Sequence, residues 1–445
     1  MSQPQRSRRS PVEHLADNRG SLGGAVAAPR ERAKAAEVPA RLPALEERLK
    51  RRAEQAQPGE AAAPKKAAKT KAAQRIDLVM LTVLFGLVVF GLVMVYSASY
   101  YTLQANGKSP YETVLKQAFI AAMGMLAMFV LMKMDYHTWH NPRLVAIGIA
   151  VSLLLLVLVR IPGIGMFVNG SRRWINIPVI NISIQPGEIA KVLIVFYLAK
   201  TLADNKSQLA TLKGFARTLV VPVAMFGLII IQPNLSTAGA LIILSLCLLV
   251  AGGAKGKHLA LLLVVAMIAA VLLTVFEEYR AKRLVSFLDP FNNEDGRLQG
   301  DGYQLYQSLL AIGSGGLFGT GPGMSRQKAL YLPYGDSDFI FSVFAEEYGL
   351  AGCLMLLAAY GLLIRQGIIT AMRAPDRFGS LLAAGLTMLI AVQVVINVAV
   401  ATGSMPTTGL PLPFFSAGGT NLLVYLAAMG VLLNISKQGN KQLKR

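Results

Sequence analysis

Polar and apolar positions in this 445-residue chain are blocked rather than interleaved. Runs such as Leu78–Val95, Leu144–Val159 and Leu259–Val275 carry almost no charge. A helix needs about 20 apolar residues to cross the roughly 30 Å hydrocarbon core of a bilayer. Read along the chain, the pattern predicts spans at 78–98, 117–134, 144–161, 187–204, 216–231, 235–253, 258–276, 338–364, 379–402 and 420–435. They follow one another, which excludes a lone signal peptide ahead of a soluble domain. The expected fold is an all-α integral membrane bundle of about ten transmembrane helices. A large structured extracytoplasmic loop separates the seventh from the eighth.

Charge placement orients this bundle. Starting inside, alternation puts the loops near 133–143, 200–216, 253–258 and 365–378 in the cytoplasm. They carry Lys133, Arg143, Lys200, Lys206, Lys213, Lys255, Lys257, Arg365, Arg373 and Arg377 and few acids. Basic short loops mark the cytoplasmic side, so both termini are expected inside. The outer loops are then 99–116, 162–186, the turn Gln232–Asn234, the long 277–336 and 403–419. A long connection of mixed, dense composition is usually functional.

Composition narrows the class further. The chain is 54% hydrophobic and 15% charged, against about 25% charged in an average soluble domain. About half of the +20 net charge comes from residues before Ile76, a stretch rich in Ala, Pro, Arg and Lys and without aromatics. Much of the remainder lies in loops beside spans, so nucleic-acid binding is not expected. The domain division is a disordered basic cytoplasmic tail at 1–75, a membrane domain at 76–436 and a basic tail at 437–445. The first tail reads as a tether or interaction segment, with Leu42–Ala53 a candidate surface helix. Cys247 and Cys353 fall in apolar runs, too few for a disulfide framework. His137 and His140 stand three apart before Pro142 and read as a cytoplasmic turn rather than a zinc site.

Candidate chemistry collects in the outer loops. The long loop mixes Arg280 and Arg283 with Asp289, Glu294, Asp295 and Asp301, followed by Tyr303, Gln304, Gln307 and Ser308. A second outer pair is Arg172-Arg173. Arginines placed against the positive-inside bias point to a bound anion, because the guanidinium fork matches phosphate oxygens. Their bland alternative is pairing with lipid headgroups or with the loop's own acids. Within spans, Glu188 and Lys191 stand three apart, and Glu346-Glu347 sit in the eighth span. Ionisable groups in a membrane suggest function, although Glu188 and Lys191 could simply satisfy each other.

An ordered set of motifs covers residues 78–435. It comprises Gly91–Ser99 (GLVMVYSAS), Ser171–Ile175 (SRRWI), Gln185–Lys191 (QPGEIAK), Gly302-Tyr303-Gln304 with Gln307-Ser308, Ser337–Phe341 (SDFIF) with Glu346-Glu347, and Pro406–Phe414 (PTTGLPLPF). Each is weak alone; in this order they resemble the SEDS family (shape, elongation, division and sporulation) of FtsW, RodA and SpoVE. The resemblance implies a peptidoglycan glycosyltransferase that polymerises lipid II into glycan strands. It also implies a class B penicillin-binding protein as transpeptidase partner, other divisome proteins and a divalent cation, magnesium or manganese. Gly91–Ser99 is closer to the division members, which places the protein at the septum in the inner membrane. An elongation polymerase, a lipid II flippase and a scaffold without chemistry are the alternatives.

The chemistry asks for one carboxylate to take the proton of the acceptor 4-hydroxyl, and for cations to meet the departing diphosphate. The donor is α-linked and the product β-linked, so one inverting displacement suffices. The family's essential aspartate stands shortly before the Gly-X-Gly-Tyr-Gln motif, usually before proline. Here the segment is longer, and Asp295, with Gly296 in the proline's place, matches best; Asp295 is also the possible metal ligand. Glu294 and Asp301 are the alternatives, and Asp289 matches an earlier Asp-Pro element. The substrate-binding set expected around it is Arg172, Arg173, Glu188, Lys191, Arg280, Arg283, Tyr303, Gln304, Gln307 and Ser308. Three departures mark this chain: Asn234 for a usual aspartate, Gly187 for serine, and Ser416–Asn421 (SAGGTN).

Overall fold

The protein's structure, a computed structural model, describes residues 47, 48, 50, 51, 77–168, 170–177, 182–205, 209–275, 278–291 and 302–442. Nearly all of the expected 1–75 tail lies outside these residues; its four described positions are helical, with Arg51 3.4 Å from Glu47.

From Asp77 onward the chain is a helical bundle. Its elements are α1 Leu78–Ala105, α2 Glu112–Lys133, α3 Pro142–Leu158, β1 Gly165–Val168, β2 Ser171–Ile177, β3 Ile182–Ile184, α4 Pro186–Asp204, α5 Leu212–Ile231, α6 Leu235–Ala251 and α7 Gly256–Val275. They continue with α8 Glu278–Leu288, α9 Tyr303–Gly315, α10 Ile340–Arg373, α11 Arg377–Ala401 and α12 Gly419–Gln442. All but α8 and α9 coincide with the ten expected spans. Six (α1, α2, α5, α10, α11, α12) are long and apolar enough to cross a membrane, and α3, α6 and α7 are shorter apolar helices. The apolar pattern places several ends short. α10 runs nine residues past position 364, and α12 stays helical into the expected tail, because backbone hydrogen bonding need not stop where apolar composition does. Two expectations need refinement. The 162–186 loop folds as an antiparallel three-stranded sheet, β1-β2-β3, and the 277–336 loop contains two helices.

Helix starts follow local chemistry. Asp77, Asn141, Asn234 and Asp376 each turn a side-chain oxygen onto a first-turn amide, at 3.0, 2.9, 3.2 and 2.8 Å. Such caps satisfy amides that have no partner within the helix. In packing, α12 lies along α2, α11 against α10 and α4, and α1 against α10. The α2–α12 approach depends on small residues: a β-carbon on Gly430 would stand 2.4 Å from the Met128 carbonyl oxygen. Small residues at membrane helix contacts let backbones come this close.

One helix is broken on purpose. Gly349 interrupts α10 with φ 63°, and the segment after α9 crosses the break. Thr320 and Gly321 donate to the Glu346 and Glu347 carbonyls at 2.9 and 3.1 Å, while Leu350 and Ala351 donate back to Gly316 and Leu317 at 2.9 and 3.0 Å. Backbone groups freed by the kink are thus paired, as a low-dielectric setting requires.

Candidate functional site

The side chains of Glu346 and Glu347 finish what that backbone exchange starts. Glu346 accepts from Ser325 and from the amides of Arg326 and Gln327 at 2.9 and 3.2 Å. Glu347 binds buried Lys328 at 2.7 Å, Ser97 at 2.8 Å and the Gly323 amide at 3.0 Å. Both carboxylates are fully engaged in fastening the 316–339 segment to α10 and α1. They do not line the cavity described next.

That cavity, of about 770 Å³, lies where all five loops expected on one face of the bundle converge. Glu112, Lys116 and Gln117 at the start of α2 form one side. The sheet gives Arg173 and Trp174, and the 232–234 turn gives Pro233 and Asn234. The long segment supplies Arg283, Gln304, Tyr334 and Asp338, and residues Met405–Gly409 and Ala417–Asn421 make the floor.

Buried amides hold this floor. Asn397 donates to the carbonyls of Asp338 at 2.9 Å and Leu410 at 2.8 Å, and Gln393 to that of Pro411 at 2.9 Å. Gln117 binds the Ser416 carbonyl at 3.0 Å. Below lie Glu188 and Lys191, 2% and 1% exposed and 2.8 Å apart. Lys191 also binds Gln393 at 2.6 Å, and Asn421, which lines the cavity, binds Glu188 at 2.8 Å. The pair therefore sits under the floor and connects to it through Gln393 and Asn421.

The remaining expected residues separate by position. Consecutive strand residues point to opposite faces, so Arg172 and Arg173 cannot act side by side. Arg173 enters the cavity and donates to the carbonyls of Gln232, at 3.3 Å, and Pro233. Arg172 instead binds the Gly165 carbonyl at 2.7 Å and covers the Phe167 ring. Arg283 lines the cavity and donates to the Thr407 carbonyl at 3.2 Å. Gln304 lines it, and Tyr303, Gln307 and Ser308 do not. Ser308 is fully buried, bonded to the Ala401 carbonyl at 2.7 Å and to Ser342 at 2.6 Å, which makes it a packing contact of α9 with α10 and α11. Asp295, Glu294 and Asp301 lie outside the described residues, as does the side chain of Arg280.

The residue that motif reading passed over is Asp338. Its place in the Ser337–Phe341 motif was visible, but nothing local shows that the turn before α10 drives the carboxyl into the cavity. Burial pushes its pKa up to about 7, neighbouring Asp336 adds to this, and Arg283 and Arg173 oppose it. Asp336, also buried, is raised for the same reason.

Residues 77–441 match the family described as cell cycle protein, FtsW/RodA/SpoVE. The chain belongs to this family. It is 39% identical over 363 residues to the stage V sporulation protein E of Bacillus subtilis, covering 81% of this chain and 97% of that one. It is likewise 39% identical to a protein of Trichlorobacter lovleyi named probable peptidoglycan glycosyltransferase FtsW, covering 81% and 93%. Among solved structures, a chain from a peptidoglycan synthase complex, titled for its coordination of polymerization and crosslinking, superposes with a TM-score of 0.68 at 25% identity. It covers 82% of this chain and 98% of that one. The rod shape determining protein RodA of Thermus thermophilus gives 0.60 at 27%, covering 82% and 97%.

Elsewhere, the turn Tyr136–His140 ties other elements together. His137 contacts Asp135 at 2.8 Å and Asp376 at 3.1 Å, and His140 contacts Asp204 at 2.7 Å. Each histidine is matched to carboxylates.

Proposed function

We propose that this protein is a peptidoglycan glycosyltransferase of the division type, a septal enzyme of the inner membrane that polymerises lipid II into glycan strands. The cavity carries this reading: arginines from two separate elements, Arg173 and Arg283, face one space with Gln304 and Asp338. A lipid-linked sugar diphosphate brings an anion to be met and a polar sugar to be oriented, and the relatives' names supply the reaction class.

In the reaction, the 4-hydroxyl of the acceptor attacks C1 of the donor from the face opposite the diphosphate, and the configuration inverts. Asp295 takes the hydroxyl proton. Arg173 and Arg283 meet the charge that grows on the leaving diphosphate; fixed donors at such a place contribute most when they are pre-arranged. Both are pre-arranged here, each anchored to a backbone carbonyl of the cavity wall. A divalent cation belongs to this reading through the family resemblance, with Asp295 as its expected ligand. Among the described residues no group of three or more His, Cys, Asp or Glu could hold one, so no step is routed through it. The glycan product leaves toward a class B penicillin-binding protein, the expected transpeptidase partner in the divisome.

The test is purified protein with its cognate penicillin-binding protein, fluorescent lipid II and magnesium or manganese. Glycan polymer is expected, and Asp295→Ala should abolish it while the complex stays intact. A polymerising Asp295→Ala variant removes Asp295 as base; a wild type that never polymerises removes the reading.

A further inference from the structure

Asp338 has an odd position for a carboxylate. It lines the cavity beside two arginines, yet among the described residues no group donates a hydrogen bond to its carboxyl oxygens. Its own carbonyl is pinned by Asn397, and its Oδ2 lies where a β-carbon on Gly409 would meet it at 3.5 Å, so the side chain is held against the floor loop. The charged groups acting on it come from three directions: Asp336 on the same turn, Arg283 on α8 and Arg173 on β2. Glu112, Lys116 and Tyr334 complete the ionisable lining of the cavity.

An ionised Asp338 would neutralise part of the field that Arg173 and Arg283 present and would repel a diphosphate arriving between them. A protonated Asp338 does neither, and it offers an O–H donor. We propose that Asp338 is the proton-donating carboxyl of the diphosphate site: neutral while the lipid diphosphate binds, it passes its proton to that diphosphate as the sugar departs. This rests on the polymerase reading of the cavity. In the step, the C1–O bond to phosphate breaks and its electron pair goes to the phosphate oxygen. The new bond forms between C1 and the acceptor O4, whose proton passes to Asp295. The Asp338 proton goes to the diphosphate. Asp338 is then anionic between the arginines and helps to expel the product, and solvent restores its proton. The titration near neutrality described above suits a group that must be found in both states, as general acids require.

The experiment measures binding of undecaprenyl diphosphate to the full-length protein in detergent between pH 6 and 8.5, for wild type and D338N. Binding by the wild type should take up protons, so its Kd relative to that of D338N should climb as pH rises through 7. One linked proton sets a limit of about tenfold per pH unit. With lipid II, D338N should lose about 10²-fold or more in kcat, without a rise in KM at pH 7.5. A second measurement needs no variant: wild type in weak buffer at pH 7.5 should absorb up to about one proton per diphosphate bound, whereas an arginine site alone drives the phosphate to release protons. Parallel pH profiles for wild type and D338N, or proton release, overturn the proposal. Normal binding linkage without polymer formation instead overturns the polymerase reading and leaves the proton coupling standing.

Discussion

At the scale of single residues, burial and charge decide roles that residue type alone leaves open. Asp338 holds a proton near neutrality in the folded chain because its carboxyl is desolvated beside Asp336. In the unfolded chain it ionises near pH 3.9. Between these values the folded state binds the extra proton, so stability from this group falls as pH rises from about 4 to about 7, and the penalty is complete above 7. Asparagine pays no such penalty. D338N should therefore match wild type in Tm near pH 4, gain on it up to pH 7 and keep a constant advantage above. A Tm difference that ignores pH would refute the buried-carboxyl picture. Asn234 gives a second case. The sequence reading asked whether losing the usual aspartate matters; the structure makes Asn234 the cap of α6, with its oxygen 3.2 Å from the Thr237 amide. Asparagine and aspartate cap about equally well. Asn234→Asp should leave thermal stability nearly unchanged, whereas Asn234→Ala should cost about 1 kcal/mol.

At the scale of elements, the ten long helices were legible because apolar blocks are their direct imprint. The long segment was not, and its contacts show why. Lys328 reaches Ser97 and Glu347, residues 231 and 19 positions away. No periodicity encodes such a meeting. The motif Glu346-Glu347 read as intramembrane acids awaiting a function, when their partners lay in a neighbouring loop. Opening one side of this buried pair leaves a charge without a counter-ion. Lys328→Met alone or Glu347→Gln alone should lower stability by about 3–5 kcal/mol, with the double variant well short of the sum. Additive losses in detergent unfolding would mean that the two groups act independently. The arginine pair shows the converse limit. Arg172-Arg173 was recognised as one unit, but a strand alternates its faces, and the sheet delivers only Arg173 to the cavity.

At the scale of the whole molecule, the two ends of the bundle are chemically different, and that difference is the strongest large-scale statement the chain makes. The cavity end gathers residues from every loop assigned outside by charge alternation. The opposite end gathers those assigned inside: Arg377 binds the Gly252 carbonyl at 3.0 Å, His137 meets Asp376 and His140 meets Asp204. Charge counts and three-dimensional convergence are independent, since one uses only loop composition and the other only packing, and they divide the loops identically. If the basic end faces the cytoplasm, the cavity opens where lipid-linked sugars on the outer leaflet can enter it. Single cysteines in a background lacking Cys247 and Cys353 test this directly. S109C and S404C, both exposed at the cavity end, should react with a membrane-impermeant maleimide on intact cells. T138C and K255C, exposed at the other end, should react only after permeabilisation. The reverse pattern would put the cavity on the cytoplasmic face, where a polymerase of exported precursors could not work, and the proposed function would fall with the orientation.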